Sequence, residues 1–342
     1  MSLLVNIEKR LGDFHLHADL SAGDGVLGLL GASGCGKSMT LQCIVGIQRP
    51  DRGRIEVDGR VLFDSERRID LTPQKRRTGL LFQNYALFPN MTVAENIRCG
   101  LRRDRSAGTE TVREIMGRFN LSALSDHYPH QLSGGQQQRA ALARVLVSAP
   151  DILLLDEPFS ALDSHLRFRL EQETRDILRD FGKTVVLVSH NRDEVFRLSD
   201  RIAVMDRGRV DVFGEKAAVF ADPRTRAAAL LTGCKNISPI EKLDEHRVLA
   251  ADWGLTLRTA RPVGDGRFVG IRMHDVLPGA GENGFCLPVA DVMENPFSFT
   301  VGLKAPEGTA SLFWEVDKDL WRALQGPEAK IHLPPEALCV LQ

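Results

Sequence analysis

The chain has 342 residues, a formal net charge of −1, and 43% hydrophobic and 26% charged residues, values of a folded globular protein with room for two or three domains. They exclude a disordered chain and give no general pull toward nucleic acid. No run of about 18 apolar residues occurs, which excludes a membrane-spanning helix, and six scattered cysteines without a Cys-x-x-Cys pair speak against a disulfide framework and a structural zinc site.

Met1–Val5 lacks a basic region followed by an apolar stretch, so no secretory signal is expected, and a reducing cytoplasm is the expected compartment. Leu3–Lys9 and Phe14–Ala18 alternate around a Gly12–Asp13 turn, which predicts a hairpin. Val26–Leu30 reads as a short buried strand. It runs into Gly31–Ser38, GASGCGKS, which fits G-x-x-x-x-G-K-[ST] and precedes apolar side chains at helical spacing over Met39–Ile47. Glycines let such a loop wind tightly, so that its N–H groups face phosphate oxygens. The helix start adds roughly half a positive charge. The expected phosphate loop is therefore Gly31, Ala32, Ser33, Gly34, Cys35, Gly36, Lys37 and Ser38, with Lys37 on the β- and γ-phosphates and the Ser38 hydroxyl on Mg²⁺. Cys35, near a helix start that lowers thiol pKa, is expected to be alkylated unless nucleotide protects it.

Gly53–Phe63 predicts another hairpin, turning at Asp58–Gly59, and Arg77–Phe82 a short buried strand. From about Asn84 to Ala149 the pattern becomes helical, with Val112, Ile115, Met116 and Phe119 at i, i+3, i+4, i+7. Inside it, Ser133 of Leu132–Gln136 reads as the N-cap of a helix over Gln137–Leu146, with Gly134 and Gly135 exposing backbone N–H groups. By itself such a stretch is an ordinary capped helix. Ile152–Leu155 is an apolar strand ending in Asp156 and Glu157. Ligands lie outside the carboxyl ends of parallel strands. That places Asp156 to hold Mg²⁺ through its water shell, and Glu157 to orient or deprotonate an attacking water. The alternative is a pair of acids opening a turn before Pro158. Ser164–Phe181 is a charged amphipathic helix and Thr184–Val188 a strand. Strands alternating with helices predict an α/β fold with a parallel sheet covered on both faces. Past Leu231–Gly233 strands shorten and Pro/Gly turns multiply, an all-β signature of one or two small barrels. Residues 233–342 carry 11 Lys and Arg against 15 Asp and Glu, a balance of −4.

Taken together in this order, the motifs over about residues 3–232 resemble those of ATP-binding cassette (ABC) ATPases. Gly31–Ser38 resembles the Walker A loop and Ile152–Glu157 the Walker B strand. Leu132–Gln136 matches the signature LSGGQ letter for letter. Gln83 resembles the Q-loop glutamine, which ligates Mg²⁺ and senses a permease. Ser160–Asp163 matches the D-loop, and His190, after Val188–Ser189, resembles the switch histidine that contacts the γ-phosphate. The resemblance implies a mixed sheet with a helical subdomain over about 84–149, and a nucleotide-binding domain over 1–232. It implies ATP and Mg²⁺ as cofactors, with Glu157, His190 and Gln83 catalytic and Ser38, Gln83 and Asp156 around the metal. Ser133, Gly134, Gly135, Gln136 and Asp163 would face the ATP held by a second copy, so a homodimer is implied. So are integral-membrane permease subunits, a substrate-binding protein acting indirectly, and a peripheral place on the cytoplasmic face of the cell membrane. Exposed Tyr85, Leu87 and Phe88 would line the permease groove, or form subdomain core.

Two departures stand out. The family places Thr after the Walker serine to help hold the α-phosphate; Met39 is there, with Thr40 one position on. Its adenine-stacking ring falls at Leu11, with Phe14 the nearest aromatic, so loose base selectivity is expected. A soluble ABC ATPase of DNA repair or translation is the rival reading. It fits poorly, because no long coiled coil separates the Walker motifs and only one cassette is present.

Residues 233–342 resemble the oligonucleotide-fold (OB-like) accessory region of importer ATPases for sugars, polyamines, iron and oxyanions. Gly270–Val276, Asn283–Leu303 and Thr232–Ser238 resemble stretches of molybdate importers, which makes molybdate the lead cargo. Sulfate or tungstate, ferric iron, sugar and polyamine are the alternatives. An oxyanion ligand in this region, or dimer contact alone, are both open. The acidic balance and the lack of a basic-aromatic face speak against nucleic acid. Trp253, Trp314 and Trp321 are expected in barrel core.

Overall fold

The computed structural model describes residues 2–101, 108–160 and 164–342, the last range without the side chains of 164–166. It contains two compact units, Met1–Lys216 and Ala217–Gln342.

The first unit is built on an eleven-stranded mixed sheet. In chain order its strands are β1 (Leu3–Leu11), β2 (Phe14–Ala22), β3 (Gly25–Gly31), β4 (Arg52–Val57), β5 (Arg60–Asp64) and β6 (Ile69–Asp70), then β7 (Thr78–Leu81), β8 (Ile152–Asp156), β9 (Thr184–Ser189), β10 (Arg201–Asp206) and β11 (Arg209–Glu215). Their order across the sheet is β6-β5-β4-β1-β2-β11-β10-β3-β9-β8-β7. The antiparallel half comes from the two hairpins, β1–β2 and β4–β5, the second turning at Asp58, which holds φ 51, and Gly59. Strands β10, β3, β9, β8 and β7 are parallel. They carry continuous apolar runs because both faces are covered. Ile152, Leu153, Leu154 and Leu155 of β8 are all fully buried, each contributing about 1.5–3 kcal/mol by leaving water.

Helices α1 (Lys37–Val45), α2 (Pro73–Arg76), α3 (Val93–Cys99), α4 (Gly108–Arg118), α5 (Gly134–Leu146), α6 (Ser164–Phe181) and α7 (Arg192–Leu198) complete this unit. α3, α4 and α5 form the helical region, with Val112, Met116 and Phe119 buried in one cluster as the periodicity predicts. The loop before α3 is organised by Asn96, fully buried, whose amide donates to the carbonyls of Phe88, Met91 and Thr92 and accepts the Phe88 N–H.

The second unit begins at Ala217, upstream of the composition shift at Thr232–Gly233. The reason is packing. Helix α9 (Arg226–Leu231), which follows the short α8 (Lys216–Ala221), buries Ala229 against Cys234 and Leu341. Two five-stranded sheets follow. One joins Asn236–Lys242, Arg247–Ala250, Leu255–Arg258, Phe268–Ile271 and Cys339–Leu341, the other Leu277–Pro278, Gly284–Glu294, Ser298–Leu303, Leu312–Asp317 and Glu328–His332. Trp253, Trp314 and Trp321 are buried in the core the two sheets share. Among the described residues no helix is long and apolar enough to cross a membrane.

Candidate functional site

Four neighbouring parallel strands, β3, β9, β8 and β7, end at the same edge of the sheet. Leu30 pairs with Ser189, Asp156 with Val188, and Leu81 with Leu155. The segment leaving each strand carries one motif: Gly31–Ser38 after β3, His190 after β9, Glu157 after β8 and Gln83 after β7. Residues far apart in the chain are thus brought together by strand order alone.

Gly31 can only be glycine, since a Cβ there would stand 2.5 Å from both Cys35 Sγ and the Met205 carbonyl oxygen. Gly36 holds φ 107 as the N-cap of α1, a left-handed conformation that favours glycine. Ala32, Ser33 and Gly34 are exposed. The first turn of α1 leaves backbone N–H groups without helical partners. Lys37 is only 4% exposed, and its ammonium donates to the Gly31 and Ala32 carbonyls at 2.8 and 2.9 Å. Among the described residues it makes no ion pair with a carboxylate. A buried cation resting on carbonyls beside free N–H groups fits a phosphate chain.

Ser38 Oγ donates to Asp156 Oδ1 at 2.8 Å. Burial pushes the Asp156 carboxyl above its ordinary pKa and the Glu157 charge adds to that, while the Ser38 hydrogen bond and Lys37 act the other way. A hydroxyl and a carboxylate held together are hard oxygen donors of the kind Mg²⁺ takes alongside phosphates. Glu157 holds φ 46, a conformation that costs a non-glycine residue about 1 kcal/mol or more. Its N–H donates to the Val188 carbonyl, and its own carbonyl accepts from the Ser160 N–H and hydroxyl. The mostly buried side chain places Oε2 3.0 Å from Nδ1 of the half-exposed His190.

Gln83 is exposed on the turn after β7. Tyr85 and Ala86 in that turn hold φ 60 and 46, and Arg144 of α5 donates to both their carbonyls at 2.8 and 2.7 Å. Tyr85 is not exposed, as the groove reading required. It is 4% exposed, burial pushes its hydroxyl up to about 12, and that hydroxyl donates to the Pro158 carbonyl. Its body faces the helical core with Leu87, while Phe88 remains exposed under the Arg144 guanidinium. Phe82, Ala86, Phe88, Cys99, Gly100 and Arg144 are among the residues that line a groove of about 450 Å³ beside this turn.

Ser133 caps α5 through a reciprocal box, its hydroxyl accepting the Gln136 N–H while Gln136 Oε1 accepts the Ser133 N–H. A Cβ on Gly135 would meet a Leu170 methyl of α6 at 2.9 Å, so the glycine lets α6 approach closely. No hydrogen bond among the described residues joins Leu132–Gln136 to Gly31–Ser38. Asp163 lies outside the described residues.

One expectation changes. Cys35 is 5% exposed, with Sγ 3.8 Å from Lys37 Nζ, so its thiol is shielded rather than open to ready alkylation. Thr40 is fully buried and its hydroxyl donates to the Gly36 carbonyl, so it does not stand in for the absent threonine at Met39. Phe14 packs against the sheet core and borders Gly36, whereas Leu11 is exposed. Arg144 was missed in the sequence because a basic residue late in a helix reads as a solvated charge.

Residues 15–160 match the ABC transporter family model. The chain is 41% identical to a sulfate/thiosulfate import ATP-binding protein of Chromobacterium violaceum, over 73% of this chain and 67% of that protein. It is 38% identical to a spermidine/putrescine import ATP-binding protein of Rubrobacter xylanophilus, over 89% and 84%. It is 41% identical to a molybdenum import ATP-binding protein of Paramagnetospirillum magneticum, over 65% and 61%. Among solved structures, a dimeric ATP-binding cassette in a post-hydrolysis state with ADP and phosphate is 30% identical. It has a TM-score of 0.53 and covers 63% of this chain and 99% of that one.

Proposed function

The chain belongs to the ABC transporter family as an import-type ATPase, and from that premise we propose how its residues turn over MgATP and what it serves. The observation carrying the reading is the shared edge of β3, β9, β8 and β7, which gathers Lys37, Ser38, Asp156, Glu157, Gln83 and His190. Gly31–Met39 cradle the phosphates by backbone N–H groups, and Lys37 neutralises the β- and γ-oxygens. Ser38, Asp156 and Gln83 would hold Mg²⁺, which when bound would offset charge on the phosphate oxygens. Glu157 takes a proton from the water whose oxygen attacks the γ-phosphorus, as the bond to the ADP oxygen breaks. His190 fixes Glu157 through Nδ1 and turns Nε2 toward the γ-phosphate.

Two copies assemble head to tail, each offering Ser133–Gln136 and Asp163 to the other's ATP. The free, capped start of α5 supports this, because it meets no phosphate loop in its own chain. ATP then favours the closed pair and hydrolysis releases it. The groove beside Gln83, tied to α5 by Arg144, receives a membrane permease at the cytoplasmic face. The test is Glu157→Gln with MgATP: turnover falls about 10²–10⁴-fold while sedimentation shows a dimer. A variant that stays monomeric at every concentration removes the reading.

The cargo we propose is an oxyanion, molybdate first, supported by the sulfate- and molybdenum-importing relatives. The polyamine relative favours a second reading, since it aligns across both compact units. Uptake of labelled molybdate, sulfate and spermidine by cells lacking the chain separates the two; loss of spermidine uptake alone overturns the first.

A further inference from the structure

The turn carrying His190 hangs on a buried carboxylate. The Ser189 hydroxyl donates to Glu194 Oε2 at 2.7 Å and accepts the Asn191 N–H at 2.9 Å. Asn191 Oδ1 in turn accepts the N–H groups of Asp193 and Glu194 at the start of α7. The residues on either side of His190 are therefore held through one side chain. Ser189 is 2% and Glu194 4% exposed.

The second Glu194 oxygen lies 3.6 Å from Arg167 Nε on α6. In the opposite sense, Arg197 of α7 reaches the buried Glu171 of α6 at 2.7 Å. Each helix gives one arginine and one glutamate, so two crossed ion pairs clamp α6 to α7. α6 begins at Ser164, directly after Ala161–Asp163, and α7 begins two residues past His190. Burial pushes the Glu194 carboxyl above its ordinary pKa, the Ser189 hydrogen bond and the Arg167 and His190 charges pull it back, and Glu171 opposes them. Burying a charge is costly unless it is paired and hydrogen-bonded, and an apolar side chain would fill the space at less cost. What the ion adds is a defined geometry.

We propose that Glu194 is a positioning residue for His190. It fixes the main chain on both sides of the histidine, and Arg167 makes that register depend on helix α6. The inference rests on the role proposed above for His190, and Glu194 acts through it without touching nucleotide.

Glu194→Gln keeps the size and an acceptor for Ser189 but loses the charge facing Arg167; Glu194→Ala loses both. Small misplacement of a reacting group costs up to about a hundredfold in rate. We expect kcat for MgATP to fall about tenfold or more in Glu194→Ala and less in Glu194→Gln, with KM and the Kd for MgATP within about twofold of the parent. Arg167→Met should match Glu194→Gln, and the double variant should be no worse than either. A merely structural Glu194 would lower Tm while leaving kcat per folded chain unchanged. If Glu194→Ala does not fold, the Gln and Met variants carry the test. A kcat within twofold of the parent in the folded Glu194 and Arg167 variants, or a loss carried by KM, overturns the inference. His190→Ala is measured alongside: if it keeps full turnover, the role of His190 itself falls, whereas a dead His190→Ala beside active Glu194 variants sinks only the present inference.

Discussion

Two cations, one in each compact unit, are each wrapped around a pair of main-chain carbonyls. Lys37 donates to Gly31 and Ala32 at the start of α1. Arg272 donates to Phe220 of α8 and to Thr232, the C-cap of α9. The surroundings separate them. Lys37 sits where helical N–H groups are unpartnered and positive potential accumulates, so its carbonyl bonds leave an excess of donors. Arg272 sits at the carbonyl ends of two short helices and stacks over Phe220, so its charge meets the acceptors those ends present. One site is left wanting an anion and the other is complete. In the second unit the tryptophans are core and the Gly270–Val276 stretch holds helices through Arg272.

Lys37→Ala and Arg272→Ala sharpen the contrast most. Removing one donor from a phosphate clamp costs about 10²–10³-fold in turnover, and we expect a loss of that order for Lys37→Ala with little change in Tm. Arg272→Ala should keep ATPase activity within about threefold yet lose about 1–3 kcal/mol of stability from hydrogen bonds to a charged donor. Urea melts with phosphate-release assays on both variants check the pair. Equal loss of activity in the two would break the comparison.

Asp156→Asn probes the same excess from its acidic side. Its carboxyl is harder to ionise folded than unfolded, so the stability it contributes is full below the unfolded pKa and is lost as pH rises through the higher folded value. At neutral pH the buried charge is a liability until a cation arrives. The variant should be inactive yet melt a few degrees higher at pH 8, with the gap narrowing as pH falls toward the ordinary carboxylate range when both are followed without nucleotide or metal. A lower Tm at pH 8 would contradict the electrostatic account.

The smallest effect is expected at Phe14. Its ring is engaged by the sheet core and the Gly36 region, so Phe14→Ala should change the ratio of ATP to GTP turnover by less than about threefold, a difference under roughly 0.7 kcal/mol. A marked ATP preference abolished by the variant would show that the ring stacks on the base.

Much of the site was legible because its residues are local or rigidly spaced. A glycine loop between strand and helix needs only its own stretch, and Asp156–Glu157 follow from an apolar strand that runs out of core. Tyr85 was misjudged because an aromatic on a loop reads as exposed unless the carbonyl that takes its hydroxyl, Pro158, is known to lie beside it. Thr40 directly follows Met39, but α1 turns it by about 100° per residue, away from Met39 and into the core. Glu194 and Arg167 look like ordinary charges on amphipathic helices, and only the packing of α6 on α7 buries them.

The amino-acid sequence by itself determined the glycine loop before α1, the acids after β8, the capped start of α5 and the change to all-β structure, since turn chemistry, capping and periodicity act over a few residues. Tertiary structure alone decided which strand ends are neighbours, and so that His190 meets Glu157 and Ser38 meets Asp156. It also decided that Arg272 is a structural cation and Lys37 is not. Partnership in space depends on sheet order and burial, which set the local dielectric and the supply of unpaired donors, and neither is written in the spacing of residues along the chain.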